Sequence, residues 1–227
     1  MTYKMTYDLL TGRSTEHLAH TSFDFPVHQA LVAPLTDLIN EASKAGHQIK
    51  LISGFRGHQQ QSNIWNEKAY GKRALLDDNG IGLNYSELSP QEILKAILRW
   101  SAIPGASRHH WGTDIDIYCA NALPTENYSV QLTPQEVADD GIFGKLHMWL
   151  DQYLPQFPFF RPYANDQGGV APERWHLSYQ PLSTQLLDQY TFDIFLKNIE
   201  TSEIQLKKLL LEDAEDLYQK YVINIST

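Results

Sequence analysis

Two short segments carry residue types that could do chemistry together: SRHHWGTDID at residues 107–116 and PERWH at residues 172–176. Their imidazoles and carboxylates are the donors that a catalytic zinc ion takes, usually three protein ligands with a fourth position left for water, whose pKa falls to about 7. Gly112 lets the backbone bend between a histidine on a loop and an aspartate on the strand that follows, so both can reach one ion from the same side. By residue type alone, His109 and His110 are equal candidates for that histidine. Glu173 lies three residues before His176, so a ligand and a neighbouring carboxylate arrive together. A carboxylate that does not bind the metal can take a proton from water and pass it to a leaving amine, which is what peptide hydrolysis requires. The one cysteine, Cys119, excludes an internal disulfide and a site built on paired thiolates, and reads as a small buried hydrophobe.

The elements around these segments follow from periodicity and punctuation. Val27, Leu31, Val32, Leu35, Leu38, Ile39 and Ala42 recur at helical spacing, and Gly46 ends the pattern, which predicts a core helix over residues 26–45. Residues 48–53 read as a strand entering a turn at Gly54, and 57–72 as a more polar helix. Residues 73–88 have loop chemistry and are expected to form a mobile flap. Ser89, Pro90 and Glu92 supply an N-cap, a first-turn proline and a capping-box acid for a helix reaching about Trp100.

Residues 113–118 alternate with period two, predicting a half-buried strand with Asp114, Asp116 and Tyr118 on one face and Thr113, Ile115 and Ile117 on the other. A second capping box (Thr133 with Glu136), a helix over 142–154, strands over 159–163 and 174–179, and helices over 183–198 and 202–221 complete the chain. The expected fold class is α+β: a small antiparallel sheet carrying the zinc site, flanked by helices, with a helical C-terminal extension.

The two chemical segments resemble the VanY-type D-alanyl-D-alanine carboxypeptidases, zinc peptidases of a superfamily that also holds lysostaphin-like enzymes and the Hedgehog signalling domain. Ser107, His109, Gly112 and Asp116 match the SxHxxGxxxD motif of that family, and Glu173, Trp175 and His176 match its ExWH. The run SGFRGHQQQ at residues 53–61 is similar to its SGYRSxxxQ, and the three motifs come in the family's order. The resemblance implies Zn2+ as cofactor, with His109, Asp116 and His176 as metal ligands and Glu173 as general base. It further implies that Arg56 steadies the oxyanion or the substrate carboxylate, and that Ser107 and Gln61 orient the peptide. The implied substrate is a muropeptide or peptidoglycan stem peptide ending in D-Ala-D-Ala. A D,D-dipeptidase, an L-Ala-D-Glu endopeptidase or a non-catalytic zinc module are the alternatives.

The chain departs from the family pattern at Gly57 and at Asp114, where a small residue is usual; Asp114 could add charge near the metal or contact solvent. His110 reads as a structural neighbour of the site, and nothing ties His17, His20, His28, His47, His58 or His147 to it.

With 227 residues and 42% hydrophobic content, one substantial core is expected: an N-terminal extension over 1–24, a zinc peptidase domain over 25–180 and the helical extension over 181–227. A formal net charge of -9 without a Lys/Arg cluster argues against a nucleic-acid partner. No stretch approaches the length of a membrane span, and the N-terminus lacks an apolar signal region, which points to the cytoplasm.

Overall fold

Apolar spacing and capping residues dictate most of the elements seen in the structure, a computed structural model that describes residues 5–226. Residues 1–4 and 227 of the two expected extensions lie outside the described residues. In chain order the elements are α1 (Tyr7–Leu10), α2 (Val32–Lys44), β1 (Ile49–Ser53), α3 (His58–Ala69), α4 (Pro90–Trp100) and β2 (Asp114–Cys119). There follow α5 (Pro134–Val137), α6 (Gly144–Tyr153), β3 (Phe159–Phe160), β4 (His176–Tyr179), α7 (Gln180–Gln189), α8 (Phe192–Thr201), α9 (Lys207–Glu212) and α10 (Ala214–Tyr221). The fold is α+β. No described helix is long and apolar enough to cross a membrane.

Both capping boxes form: Ser89 with Glu92 starts α4, and Thr133 with Glu136 starts α5. Where observed bounds differ from the expected ones, a specific group accounts for it. The first core helix begins at Val32, after a 3-10 turn over Gln29–Leu31, because the Pro26 carbonyl accepts from the Phe55 amide instead of opening a helix. The strand expected over 159–163 stops at Phe160, and Pro162, which has no N–H to donate, follows. The two expected C-terminal helices become four: the first is broken at Tyr190, whose hydroxyl donates to the Gly105 carbonyl at 2.7 Å, and the second at Asp213, after starting only beyond Leu206, at φ +61°. Residues 73–88 close on themselves through the isolated bridge Leu76↔Gly82 and the Asp77 carboxylate, which accepts from the Asn79 and Ile81 amides.

The sheet is antiparallel in the order β1-β2-β4-β3. Its register pairs Leu51 with Ile117 and Ile115 with Leu177, so these residues share an apolar face. They form one cluster with Leu35, Leu38 and Ala42 of α2 and Leu146 and Leu150 of α6. The same register places Ser53, Asp116 and His176 in one row on the opposite face, and Asp114 and Ser178 in the next. That polar face is buried too, contrary to the half-exposed strand expected of β2: Asp114 has no exposed surface and Asp116 only 4%.

A second apolar cluster explains why. Trp65, Ile97, Trp111, Leu186, Tyr190, Phe195, Ile199 and Leu210 pack together with Leu9 and Leu10, joining α3, α4 and the C-terminal helices to the N-terminal segment. Trp111, at the end of the 3-10 turn Arg108–Trp111, ties this helical cluster to the edge of β2, and its indole donates to the Leu10 carbonyl at 3.1 Å. The polar face of the sheet lies where the two clusters meet.

Candidate metal centre

His109 sits in the 3-10 turn that precedes β2, and Gly112 ends that turn in the left-handed conformation at φ +66°. A Cβ at Gly112 would meet the His28 amide nitrogen at 2.8 Å, so the bend needs glycine for space as well as for φ. The bend brings His109 Nε2 to 3.2 Å from Asp116 Oδ2. On the neighbouring strand, His176 Nδ1 lies 3.4 Å from Asp116 Oδ1. One donor atom from each of His109, Asp116 and His176 falls within 4.8 Å of the others, and all three residues are buried.

The tautomers suit a metal. His109 Nδ1 lies 2.9 Å from the Gly54 carbonyl, which can only accept, so the proton sits there and the Nε2 lone pair faces Asp116. His176 Nε2 lies 3.0 Å from Asp114 Oδ1, which leaves Nδ1 turned toward Asp116 and Glu173. Asp116 Oδ1 is buried with no hydrogen-bond partner. Two imidazole nitrogens and a carboxylate with an orphaned oxygen form the donor set of a three-ligand zinc site.

The charges agree with that reading. Burial would raise the Asp116 carboxyl, but His109, then His176 and Arg56, bring it down to about 2. Burial would lower His176, yet its hydrogen bonds to Asp114 and Glu173 and the charge of Asp116 bring it up to about 10.

Asp114 is the residue whose part was left open by its sequence position. Its Oδ1 accepts from Arg108 Nε at 2.7 Å as well as from His176, and its Oδ2 accepts from the Thr113 hydroxyl at 2.8 Å. Arg108 donates further to the Ser178 hydroxyl at 2.7 Å, and Ser178 in turn contacts Ser183 of α7. Desolvation opposes ionisation of Asp114, but Arg108 and His176 outweigh it and hold the carboxyl well below the usual carboxylate range. A carboxylate behind a ligand histidine fixes its orientation and raises its basicity. The only cue in the sequence was an acid two residues before Asp116 on the same strand face; Arg108, buried behind it, carried no cue.

Glu173 Oε2 lies 3.2 Å from His176 Nδ1, beside the cluster and outside the three-residue donor set. Arg56 follows β1, with its guanidinium 4.0 Å from Asp116 Oδ2 and donating to Gln61 Oε1 at 3.1 Å and Ser53 Oγ at 2.8 Å. Gln61 is fully buried, and its amide nitrogen donates to the Ala102 carbonyl at 2.7 Å, so any part it plays in orienting a peptide runs through Arg56. Ser107 lines the cleft with Arg56, His109, Asp116, Glu173 and His176. Tyr163, which no motif marked, lines it as well and stands edge-on to the His176 ring at 5.1 Å.

His110 turns away: its Nε2 accepts from the Gly105 amide at 2.9 Å and its Nδ1 lies 2.5 Å from the Arg56 carbonyl. It braces the loop that carries Arg56. Cys119 is a buried free thiol on the apolar face of the sheet.

Known proteins resemble this chain over the same region. The sequence model of the VanY family, described as D-alanyl-D-alanine carboxypeptidase, matches residues 24–182. An uncharacterized protein of Haemophilus influenzae is 35% identical over 123 residues, 53% of this chain and 93% of that one. A D-alanyl-D-alanine carboxypeptidase of Enterococcus faecalis is 26% identical over 148 residues, 64% of this chain and 45% of that one. Among solved structures, VanYB in complex with D-alanine-D-alanine aligns with a TM-score of 0.54 at 21% identity, covering 78% of this chain and 85% of that chain. A mutant of the vancomycin-resistance D,D-pentapeptidase VanY in complex with Zn(II) aligns with a TM-score of 0.51 at 22% identity, over 80% of this chain and 93% of that chain. These two structures share the fold.

Proposed function

We propose, since this chain belongs to the VanY family of D-alanyl-D-alanine carboxypeptidases, that it is a zinc-dependent D,D-carboxypeptidase acting on peptidoglycan-type peptides that end in D-Ala-D-Ala. The observation that carries the reading is the convergence of His109, Asp116 and His176 with Glu173 beside them. The names of the relatives support it: one solved relative holds D-alanine-D-alanine and another Zn(II).

His109, Asp116 and His176 would hold the ion. When bound, zinc supplies Lewis-acid polarisation of the scissile carbonyl and brings the pKa of water toward 7. Glu173 takes the proton from the attacking water and returns it to the leaving amine, a transfer its place at the edge of the cluster allows. The Arg56 guanidinium, held by Gln61 and Ser53, offsets the negative charge that develops on the carbonyl oxygen. Ser107 offers a hydroxyl at the cleft wall to the peptide backbone. Asp114 and Arg108 keep His176 aimed at the site.

The test is Glu173→Ala in the zinc-loaded protein with a pentapeptide ending in D-Ala-D-Ala. Zinc stoichiometry should be kept while release of D-alanine falls by about two to four orders of magnitude. Undiminished turnover removes Glu173 as the base, and a product of different mass reassigns the bond.

A further inference from the structure

The segments on either side of residues 24–182, the stretch that the family model matches, pack into one cluster with it. Leu9 and Leu10 from one segment and Phe195, Ile199 and Leu210 from the other share that cluster with Trp65 and Trp111. Buried polar groups must find partners, so the hydrogen bonds of these segments show what they hold. They lead to the backbone around Arg56.

Asn198, on α8, has no exposed surface. Its amide nitrogen donates to the Pro104 carbonyl at 2.6 Å, and its side-chain oxygen accepts from Arg13 Nη1 at 3.0 Å. The Tyr190 hydroxyl holds the next carbonyl, that of Gly105, at 2.7 Å. Two side chains of the C-terminal segment thus grip two successive peptide groups. Gly105 stands at φ +85°, and a Cβ there would collide with the Asn198 side chain, so loop and asparagine are fitted to each other. The gripped loop turns the Gly105 amide toward His110 Nε2 at 2.9 Å. That bond makes Nε2 the acceptor and puts the ring proton on Nδ1, which lies 2.5 Å from the Arg56 carbonyl. The Arg56 amide in turn donates to the His109 carbonyl at 3.0 Å.

The N-terminal segment reaches the same place from the other side. Arg13 Nη2 lies 2.8 Å from His58 Nε2, which must accept because a guanidinium cannot. The Gly12 carbonyl accepts from the His58 amide, also at 2.8 Å. Gln61 and Ser53 hold the Arg56 guanidinium, and this relay holds the peptide from which it springs. A guanidinium at the end of a long side chain magnifies any shift of its peptide, and a misplacement of about 1 Å can cost about a hundredfold in rate.

We propose that Asn198 is a positioning residue: with Arg13 and Tyr190 it sets, through Gly105 and His110, where Arg56 stands beside the candidate metal ligands. The C-terminal segment is then part of the active centre, although it lies outside the stretch that the family model matches. The kinetic consequence rests on the peptidase reading above; the contact relay itself is testable without it.

Asn198→Asp keeps the size of the side chain and a partner for Arg13 but sets an acceptor against the Pro104 carbonyl. Two measurements on the full-length protein follow the change. In the first, NMR of nitrogen-labelled histidine rings should show a His110 Nδ1 proton in slow exchange with water, and Asn198→Asp should speed that exchange by about tenfold or more. In the second, the zinc-loaded protein is given the pentapeptide ending in D-Ala-D-Ala. Asn198→Asp should lower kcat by about tenfold to hundredfold, with KM and zinc affinity within about threefold of the starting protein. In an Arg56→Lys background the same change should cost less than about threefold, because a residue that acts through Arg56 has nothing left to position. Leu210→Ala, which opens a cavity in the apolar cluster outside these hydrogen bonds, should lower Tm and leave kcat within about twofold. If Asn198→Asp does not fold, Tyr190→Phe, which keeps the ring and loses only the hydroxyl on Gly105, carries both measurements.

Losses that multiply in the double variant, or a kcat loss in Leu210→Ala as large as that in Asn198→Asp, overturn the positioning role and leave the peptidase reading standing. Exchange of the His110 ring proton that neither Asn198→Asp nor Tyr190→Phe changes overturns it as well. A wild-type protein that releases no D-alanine overturns the peptidase reading; faster exchange in Asn198→Asp then still supports the relay to Arg56, and unchanged exchange overturns both.

Discussion

His176 Nε2 lies 3.0 Å from Asp114 Oδ1, with both side chains buried, so the imidazole that faces the candidate metal site through Nδ1 is anchored through its other nitrogen. Removing the anchor should show first in metal binding. Asp114→Asn, which keeps an acceptor but loses the charge, should weaken zinc modestly, and Asp114→Ala should weaken it by about 10- to 100-fold, read by competition with a chromophoric chelator. The alanine variant also leaves Arg108 buried without its partner, a loss of about 3–5 kcal/mol in urea unfolding. An unchanged zinc dissociation constant in Asp114→Ala would show that the contact does nothing for the site.

Five histidines outside the candidate donor set should make the protein acid-sensitive. Burial, aided by neighbouring charges in most of them, pushes His17, His28 and His58 down to about 4, and His110 and His147 down to about 3. The unfolded chain takes up these protons near pH 6.5, where the folded chain refuses them. For these five groups the unfolded state binds more protons in that window, so their contribution is complete above pH 6.5 and is lost progressively as pH falls toward 4, whereas His176, held up to about 10, has the opposite sign and acts above pH 6.5. Urea midpoints measured from pH 6.5 to 5, where the five dominate, should decline with a slope of more than one proton per molecule unfolded. A flat profile over that range counts against the buried neutral imidazoles.

Arg56 should separate catalysis from metal binding. Its guanidinium faces the site but is not one of the converging donors. Arg56→Lys, which cannot reproduce the fork to Gln61 and Ser53, should lower kcat by about 100- to 1000-fold while zinc affinity stays within a factor of a few. Equal losses in zinc affinity and in kcat would reassign Arg56 to holding Asp116.

Gly112 tests the bend. At φ +66°, with the His28 amide nitrogen 2.8 Å from an added Cβ, Gly112→Ala should destabilise the fold by about 1–3 kcal/mol and reduce zinc occupancy, because His109 and Asp116 flank the turn. Thermal unfolding with and without zinc measures both. A variant of native stability would mean that the turn relaxes without cost.

Much of this was legible before any tertiary contact was known. The spacing of Leu35, Leu38 and Ala42 announced α2, the Ser89–Glu92 box announced the start of α4, and the alternation around Ile115 and Ile117 announced β2. Each rests on sterics and hydrogen bonds within a few residues, and such signals survive in one dimension. The ends of elements were less legible: Tyr190, where the first C-terminal helix breaks, donates to Gly105, far away along the chain.

By itself, then, the sequence determined which side chains were available for metal chemistry and that a strand would carry Asp116, since residue type and local period need no partner. Only the tertiary structure decided that Asp116 stands opposite His176, that His109 faces the cluster while His110 braces Arg56, and that Asp114 is buried against Arg108 and not in solvent. Those choices come from strand register and from the packing of two apolar clusters around a polar seam. They are set by the free energy of the whole chain, which no short window of residues contains.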